Sequence, residues 1–121
     1  MHNIFSMFQK KFRLPASTRL SRPQTQYSPF FITKFSSNNL EQNRYGFIVS
    51  KKVDKRAVLR NRLKRRFRSQ VEQLHTEIQQ GYDFLFLLKK EAIEQSTGVL
   101  SDEIKKVLYT LSPRNRFAKL L

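Results

Sequence analysis

Asn61 stands inside a run of cations, Arg56, Arg60, Arg62, Lys64, Arg65, Arg66 and Arg68, with Asp54 as the only nearby acid. A guanidinium presents a planar fork of donors that matches a phosphate. An amide can donate and accept at a base edge or a ribose 2′-hydroxyl. Residues of these types at this density suit contact with a polyanion, nucleic acid first. Lys51 and Lys52 extend the charge upstream, so Lys51, Lys52, Arg56, Arg60, Asn61, Arg62, Lys64, Arg65, Arg66 and Arg68 are the candidate binding residues.

The side chains that could run a reaction are thin by comparison. There is no cysteine, which removes thiolate chemistry, disulfides and zinc clusters. His2 lies at the terminus and His75 reads as an ordinary, partly exposed histidine. Acid/base catalysis needs converging carboxylates, and the acids here are scattered through the second half. Asp102 and Glu103 are adjacent, but they read as first-turn residues that oppose a helix dipole. With three glycines in the chain, no glycine-rich phosphate loop is possible. The expectation is therefore no catalytic residue and no metal site on the protein itself.

These side chains need a rigid carrier. Leu59, Leu63, Phe67, Val71, Leu74 and Ile78 recur at three- and four-residue steps and predict a helix from about Asp54, as N-cap, to Gln80, with Gly81 ending it. Arg60 and Lys64 fall at the edge of that stripe, while Asn61, Arg62, Arg65 and Arg68 point away from it. Tyr27–Phe35 reads as a strand with Pro29 near its start, and Arg44–Lys51 as a second strand pairing with it in a hairpin. Tyr82–Leu88 is almost wholly apolar, as a strand buried on both faces would be. A last helix, capped by Ser101, stops before Pro113. The order β-β-α-β-α predicts an α+β layer structure of one sheet and covering helices. Phe30, Phe31, Phe35, Tyr45 and Phe47 should be mostly core, with one or two free on the open sheet face to stack on unpaired bases.

At 121 residues the chain is one domain, and its net charge of +15 is uneven. Through Val71 only Glu41 and Asp54 oppose the Lys and Arg, whereas beyond it the two signs balance. Such asymmetry raises self-repulsion unless a polyanion neutralises it. Residues 1–24 are acid-free, as a transit peptide would be, yet the same bias continues into the folded part, so a basic RNA-contacting arm is the reading taken. No apolar run reaches a membrane span, and a reducing cytoplasm is expected.

Ser50, Lys51, Lys52 and Val53, followed by Ala57, Val58, Arg60, Asn61, Arg62, Lys64, Arg65, Arg66 and Arg68, resemble the bacterial ribonuclease P protein component, whose hallmark is an Arg-Asn-Arg signature after a VSKK strand end. Arg44, Tyr45, Gly46 and Phe47 upstream, and Gly81, Tyr82 and Asp83 downstream, extend the resemblance over about residues 27–112. A second Arg114-Asn115-Arg116 copy lacks this context. The resemblance implies a ribosomal-protein-S5-domain-2-like fold, a small mixed sheet with a left-handed β-α-β crossover, against the usual right-handed rule. It implies the protein subunit of an endonuclease whose catalytic RNA, through Mg²⁺ bound mainly by that RNA, removes 5′ leaders from precursor tRNA. Lys52, Arg60, Asn61, Arg62, Lys64, Arg65 and Arg68 would then face the RNA.

A cleft between a first helix and the sheet would hold the leader. Arg13 and Leu14 match the family's opening pair, but RLPASTRLSRPQTQYS has two prolines and no phenylalanine, so the family's full first helix is expected to be missing. Phe31 and Thr33 are the expected remaining cleft residues. The predicted organisation is a 1–26 arm, a 27–112 domain and a 113–121 tail. The competing reading is a non-catalytic RNA-binding protein of ribosomal or RNA-chaperone type sharing the fold; a stand-alone nuclease lacks the residues it would need.

Overall fold

The computed structural model describes residues 10–15 and 17–111; the 113–121 tail, with the second Arg-Asn-Arg copy, lies outside them. Six main elements follow in chain order: β1 (Gln24–Tyr27), β2 (Phe31–Ser37), β3 (Arg44–Ile48), α1 (Ala57–Leu74), β4 (Tyr82–Leu88) and α2 (Thr97–Leu111). This is the α+β architecture expected, with one strand more than the residue pattern suggested. The strand order is β1-β2-β4-β3, with β3 parallel to β4 and the other neighbours antiparallel.

The predicted hairpin between the second and third strands does not form, because β4 lies between them. YDFLFLL is the most apolar strand of the chain, and the central position pairs both of its edges and covers it best. The two strands read from sequence become its partners on either side. Their connection is then anchored at the start of β4: Asn43, fully buried, accepts from Tyr82 N at 2.8 Å through Oδ1 and donates to Gln79 O at 2.9 Å. Arg44 and Asp83 pair bidentately at 2.9 and 2.8 Å, and Asn38 donates to the same carboxylate.

Strand β1 was hidden by its composition, since QTQY shows no apolar alternation and is mostly exposed. What forms it is a tight turn, in which Ser28 N donates to Phe31 O at 3.0 Å, so Pro29 sits in a hairpin turn and not in a strand.

Strand residues of one parity face the helices. Phe31, Thr33 and Phe35 of β2 stand opposite Leu88, Phe86 and Phe84 of β4, and Tyr45 and Phe47 of β3 complete the rows. On this face Phe67 of α1 is fully buried, with ring centres of Phe31, Phe86 and Phe47 at 4.9, 5.2 and 5.8 Å. Truncating such a ring costs about 3–5 kcal/mol, a large part of a small domain's stability. Leu100, Ile104, Val107 and Leu108 of α2 close the core beside α1. The other face of β4, Leu85 and Leu87, is only half covered, so the expectation of burial on both sides fails there.

Both helices differ from expectation at their ends. Asp54 is not the cap of α1: that position is Arg56, and Asp54 Oδ1 accepts from Arg56 N at 2.8 Å one step earlier. The helix stops at Leu74, followed by a 3₁₀ turn, His75–Glu77. Gln80 turns back to donate to His75 O and Ile78 O at 2.8 and 3.1 Å, which satisfies carbonyls a longer helix would have used. Gly81 adopts a φ of 104°, as a left-handed stop requires. Helix α2 begins before Ser101; Ser96 Oγ accepts from Val99 N at 3.2 Å and takes the capping role, leaving Asp102 and Glu103 in a later turn.

Candidate nucleic-acid interface

Helix α1 turns Leu63, Phe67, Val71 and Leu74 into the core. Its outward side therefore carries Asn61, Arg62 and Arg65, all exposed, around the exposed Val58. Lys51 and Lys52 stand exposed on the turn before the helix, which Val53 N closes on Ser50 O at 3.0 Å. Arg56 is also exposed, and it pairs with Asp54 at 3.0 Å. The Asp54 carboxyl is held below the usual range, first by the hydrogen bond from the Arg56 side chain.

The remaining candidates diverge. Arg60 folds back, its Nη1 donating to Asp54 O and Lys55 O, both at 2.9 Å. It fixes the loop that leads into the helix. Arg66, also a candidate binding residue, points toward the segment before α2 and donates to Gln95 O at 2.7 Å, so it spends a donor at the helix–helix seam. Lys64 and Arg68 lie on the opposite flank, half-buried, and line a pocket of about 250 Å³ with Arg13, Leu14, Tyr45, Gly46 and Phe47. The candidate set is thus split three ways around the helix axis.

Phe31 and Thr33, the expected cleft residues, are each 0% exposed. They lie between sheet and helices, where no ligand reaches them. The expectation chose the wrong parity of β2, and a shift of one residue moves a side chain to the opposite face. Across the open face a row runs through all four strands: Tyr27 opposite Ile32, Ile32 opposite Leu87, and Leu87 opposite Ile48. Tyr27 is 71% exposed and Ile48 46%, while Ile32 and Leu87 are half-buried. Lys34 lies on the same face. These positions were missed, although alternation within FITKF pairs Ile32 with Lys34 once Phe31 and Phe35 are placed inward.

The arm reaches this face from the β3 edge. Arg13 bridges to Tyr45, and Leu14 N donates to Tyr45 O at 2.9 Å. Gly46 permits the approach, because a Cβ there would lie 3.1 Å from Leu85 Cδ1 and 3.2 Å from Leu14 Cδ2. Among the described residues of the arm, only Lys10–Phe12 is helical, a single 3₁₀ turn. Phe12 meets His75 edge-on at 4.4 Å. His75 Nδ1 is 3.0 Å from the Tyr45 hydroxyl, which accepts from Asn43 Nδ2 at the same distance. Burial, and then the Lys11 charge, hold His75 below its ordinary value. Burial raises Tyr45 far above the usual tyrosine range. His75 is therefore a joint between arm, helix and sheet, more committed than an ordinary histidine.

Among the described residues no group of three or more His, Asp or Glu could hold a metal ion. The exposed face offers nitrogen cations and one amide, which repel a divalent cation and attract phosphate. Its chemistry is that of binding a polyanion. No helix among the described residues is long and apolar enough to cross a membrane.

A family model described as Ribonuclease P matches residues 10–112. The ribonuclease P protein component of Caldanaerobacter subterraneus subsp. tengcongensis is 34% identical over 88 residues, which span 73% of this chain and 75% of that protein. That of Dehalococcoides mccartyi is 39% identical over 89 residues, 74% of this chain and 72% of its own. In fold, the chain is similar to the RNase P protein from Thermotoga maritima, with a TM-score of 0.67 at 21% identity over 72% of this chain and 82% of that one. It is similar too to the RNase P protein from Staphylococcus aureus, with a TM-score of 0.66 at 23% identity over 84% and 90% of the two chains.

Proposed function

The chain belongs to the ribonuclease P protein component family, as the protein part of that endonuclease, and from this premise we propose how its surfaces divide the work. The outward side of α1, with Asn61, Arg62 and Arg65 and the preceding Lys51 and Lys52, docks on the catalytic RNA. The open face of the sheet, with Tyr27, Ile32, Lys34 and Ile48, takes the single-stranded 5′ leader of precursor tRNA, where an exposed aromatic ring can stack on an unpaired base. Mg²⁺ is then a cofactor held mainly by the RNA subunit. The complex works in the cytoplasm, where precursor tRNA is made. Family membership favours this reading over a ribosomal or chaperone protein sharing the fold.

One observation carries the docking assignment. The apolar stripe of α1 is consumed by the core, while Asn61, Arg62 and Arg65 stand together on the opposite side with no part in the packing. Reconstitution with a cognate catalytic RNA tests it. The Arg62→Ala, Arg65→Ala double variant should assemble more weakly, and its log K against log salt slope should flatten by about one for each phosphate it no longer neutralises. An unchanged affinity and slope would remove these residues from the interface.

A further inference from the structure

The second Arg-Asn-Arg copy, Arg114, Asn115 and Arg116, has no part in the surfaces assigned above. It belongs to residues 113–121, which lie beyond the 10–112 stretch that the family model matches. The helix just before it has a side that nothing explains. Helix α2 turns Leu100, Ile104, Val107 and Leu108 into the core. Its other side carries an open groove of about 490 Å³, lined by Val99, Asp102, Glu103, Lys105, Lys106 and Tyr109. The two ends of this groove are apolar: Val99 is 40% exposed, and the Tyr109 ring is only partly packed on the core. Between them Asp102 forms no ion pair among the described residues, and Glu103 meets Lys106 only at 3.3 Å. The Tyr109 hydroxyl donates to Glu77 at 2.8 Å, which holds a third carboxylate beside the groove.

Residues 113–121 match this groove in charge, in apolar content and in reach. Residues 72–111 carry seven acids against four Lys and Arg, the reverse of the rest of the chain. Residues 113–121 carry Arg114, Arg116 and Lys119 and no acid, so the balance of signs beyond Val71 is reached only by counting them. Phe117, Leu120 and Leu121 gain by burial, and Val99 and Tyr109 offer the apolar surface to bury them against. Pro113 disfavours continuation of α2. Nine extended residues span up to about 30 Å, whereas the helix from Tyr109 back to Val99 is about 15 Å long.

We propose that residues 113–121 fold back along α2 and occupy this groove, with Phe117 and the two leucines on Val99 and Tyr109, and Arg114 and Arg116 among Asp102, Glu103 and Glu77. Exposed ion pairs are individually weak, so the apolar contacts hold the segment and the charges set its direction. Tethering makes a weak site sufficient. A segment held this close meets the groove at an effective concentration of millimolar order, so an intrinsic Kd of about 1 mM docks half of the chains. The second Arg-Asn-Arg copy is then engaged by the protein's own carboxylates and kept off RNA. That leaves the copy on α1 as the one that docks.

The chain has no cysteine, so Ala118→Cys gives a single site for a nitroxide label. In the full chain the amides of Val99, Asp102 and Lys106 should lose most of their NMR intensity, while those of Asn61 and Arg62 on α1 keep theirs. Phe117→Ser, which leaves α2 untouched, should abolish the effect. Asp102→Lys with Glu103→Lys should lower the docked-to-free ratio about fivefold, and adding Arg114→Glu with Arg116→Glu should restore it. Absence of selective broadening on α2, or broadening that survives Phe117→Ser, overturns the proposal.

Two further measurements test the other occupants. Labelled chain mixed with unlabelled ¹⁵N chain should show no broadening between molecules; if it does, the groove belongs to a second copy. Arg114→Gln with Arg116→Gln should leave the salt slope of assembly with catalytic RNA unchanged, and a flatter slope gives these residues to RNA. Either contrary result overturns self-docking. The Arg62, Arg65 double variant is read in the same assembly assay, so failure of the docking face on α1 is told apart from failure of the groove on α2.

Discussion

At the scale of single residues, burial separates side chains that look alike in sequence. Arg60, Arg62 and Arg66 are chemically identical, yet two of them spend donors on backbone carbonyls and one is free. Nothing local in the sequence distinguishes them, because the carbonyls they meet belong to the preceding loop and to the segment before α2. Asn61, Arg62 and Arg65 were legible because helical periodicity alone places them opposite the core stripe. The polar joint of Asn43, Tyr45 and His75 was not legible, since its members come from separate elements. It does make a pH prediction. His75 is held below 6.5 in the folded chain, so the unfolded state binds a proton first as pH falls. Stability should therefore be full above about pH 6.5, decline as pH drops through that value, and level off below the folded pKa. Urea denaturation across about pH 5–7.5 would show this slope for the native chain and its disappearance in His75→Gln; equal slopes would remove His75 as its source.

At the scale of elements, α1 and β4 could be read in advance because each has a strong pattern, a period for one and an unbroken apolar run for the other. Pairing could not. Adjacent strands in sequence favour a hairpin, and only the competition for the central place in the sheet shows why β4 displaces it. Strand β1 has no pattern to read, being defined by a turn and by the neighbour it gains. The short arm element is defined in the same way, by its approach to β3 at Gly46. Gly46→Val should push Leu14 off the strand, because its branched side chain needs space that Leu14 and Leu85 now fill. The expected outcome is separation of the Phe12 and His75 rings, read by the His75 ring resonances, with the core helices still formed by circular dichroism. An unshifted His75 ring would show that Leu14 does not hold the arm.

At the scale of the whole molecule, charge and shape agree on two surfaces of different character. One is a cationic ridge along α1, the other an open sheet face crossed by an apolar row with Tyr27 at its rim. No helix among the described residues of the arm covers the second; were the sheet the leader's only wall, little of the leader would be held. Michaelis constants for precursors of graded leader length should then vary less than with a relative that carries a full first helix, and Tyr27→Ala should raise them for precursors with little effect on affinity for mature tRNA. A dependence as steep as the relative's would mean another wall exists.

The central place of β4 has a consequence in time. As the chain emerges from the ribosome, β2 and β3 are complete long before Tyr82–Leu88, the strand that both must pair with, has been made. Until then the β1–β2 hairpin and β3 expose unpaired edges, and the phenylalanines meant for the core face water. Folding must wait for long-range closure across the whole of α1. A chain released before Leu88 would have its strongly basic half already synthesised but no sheet to hold it.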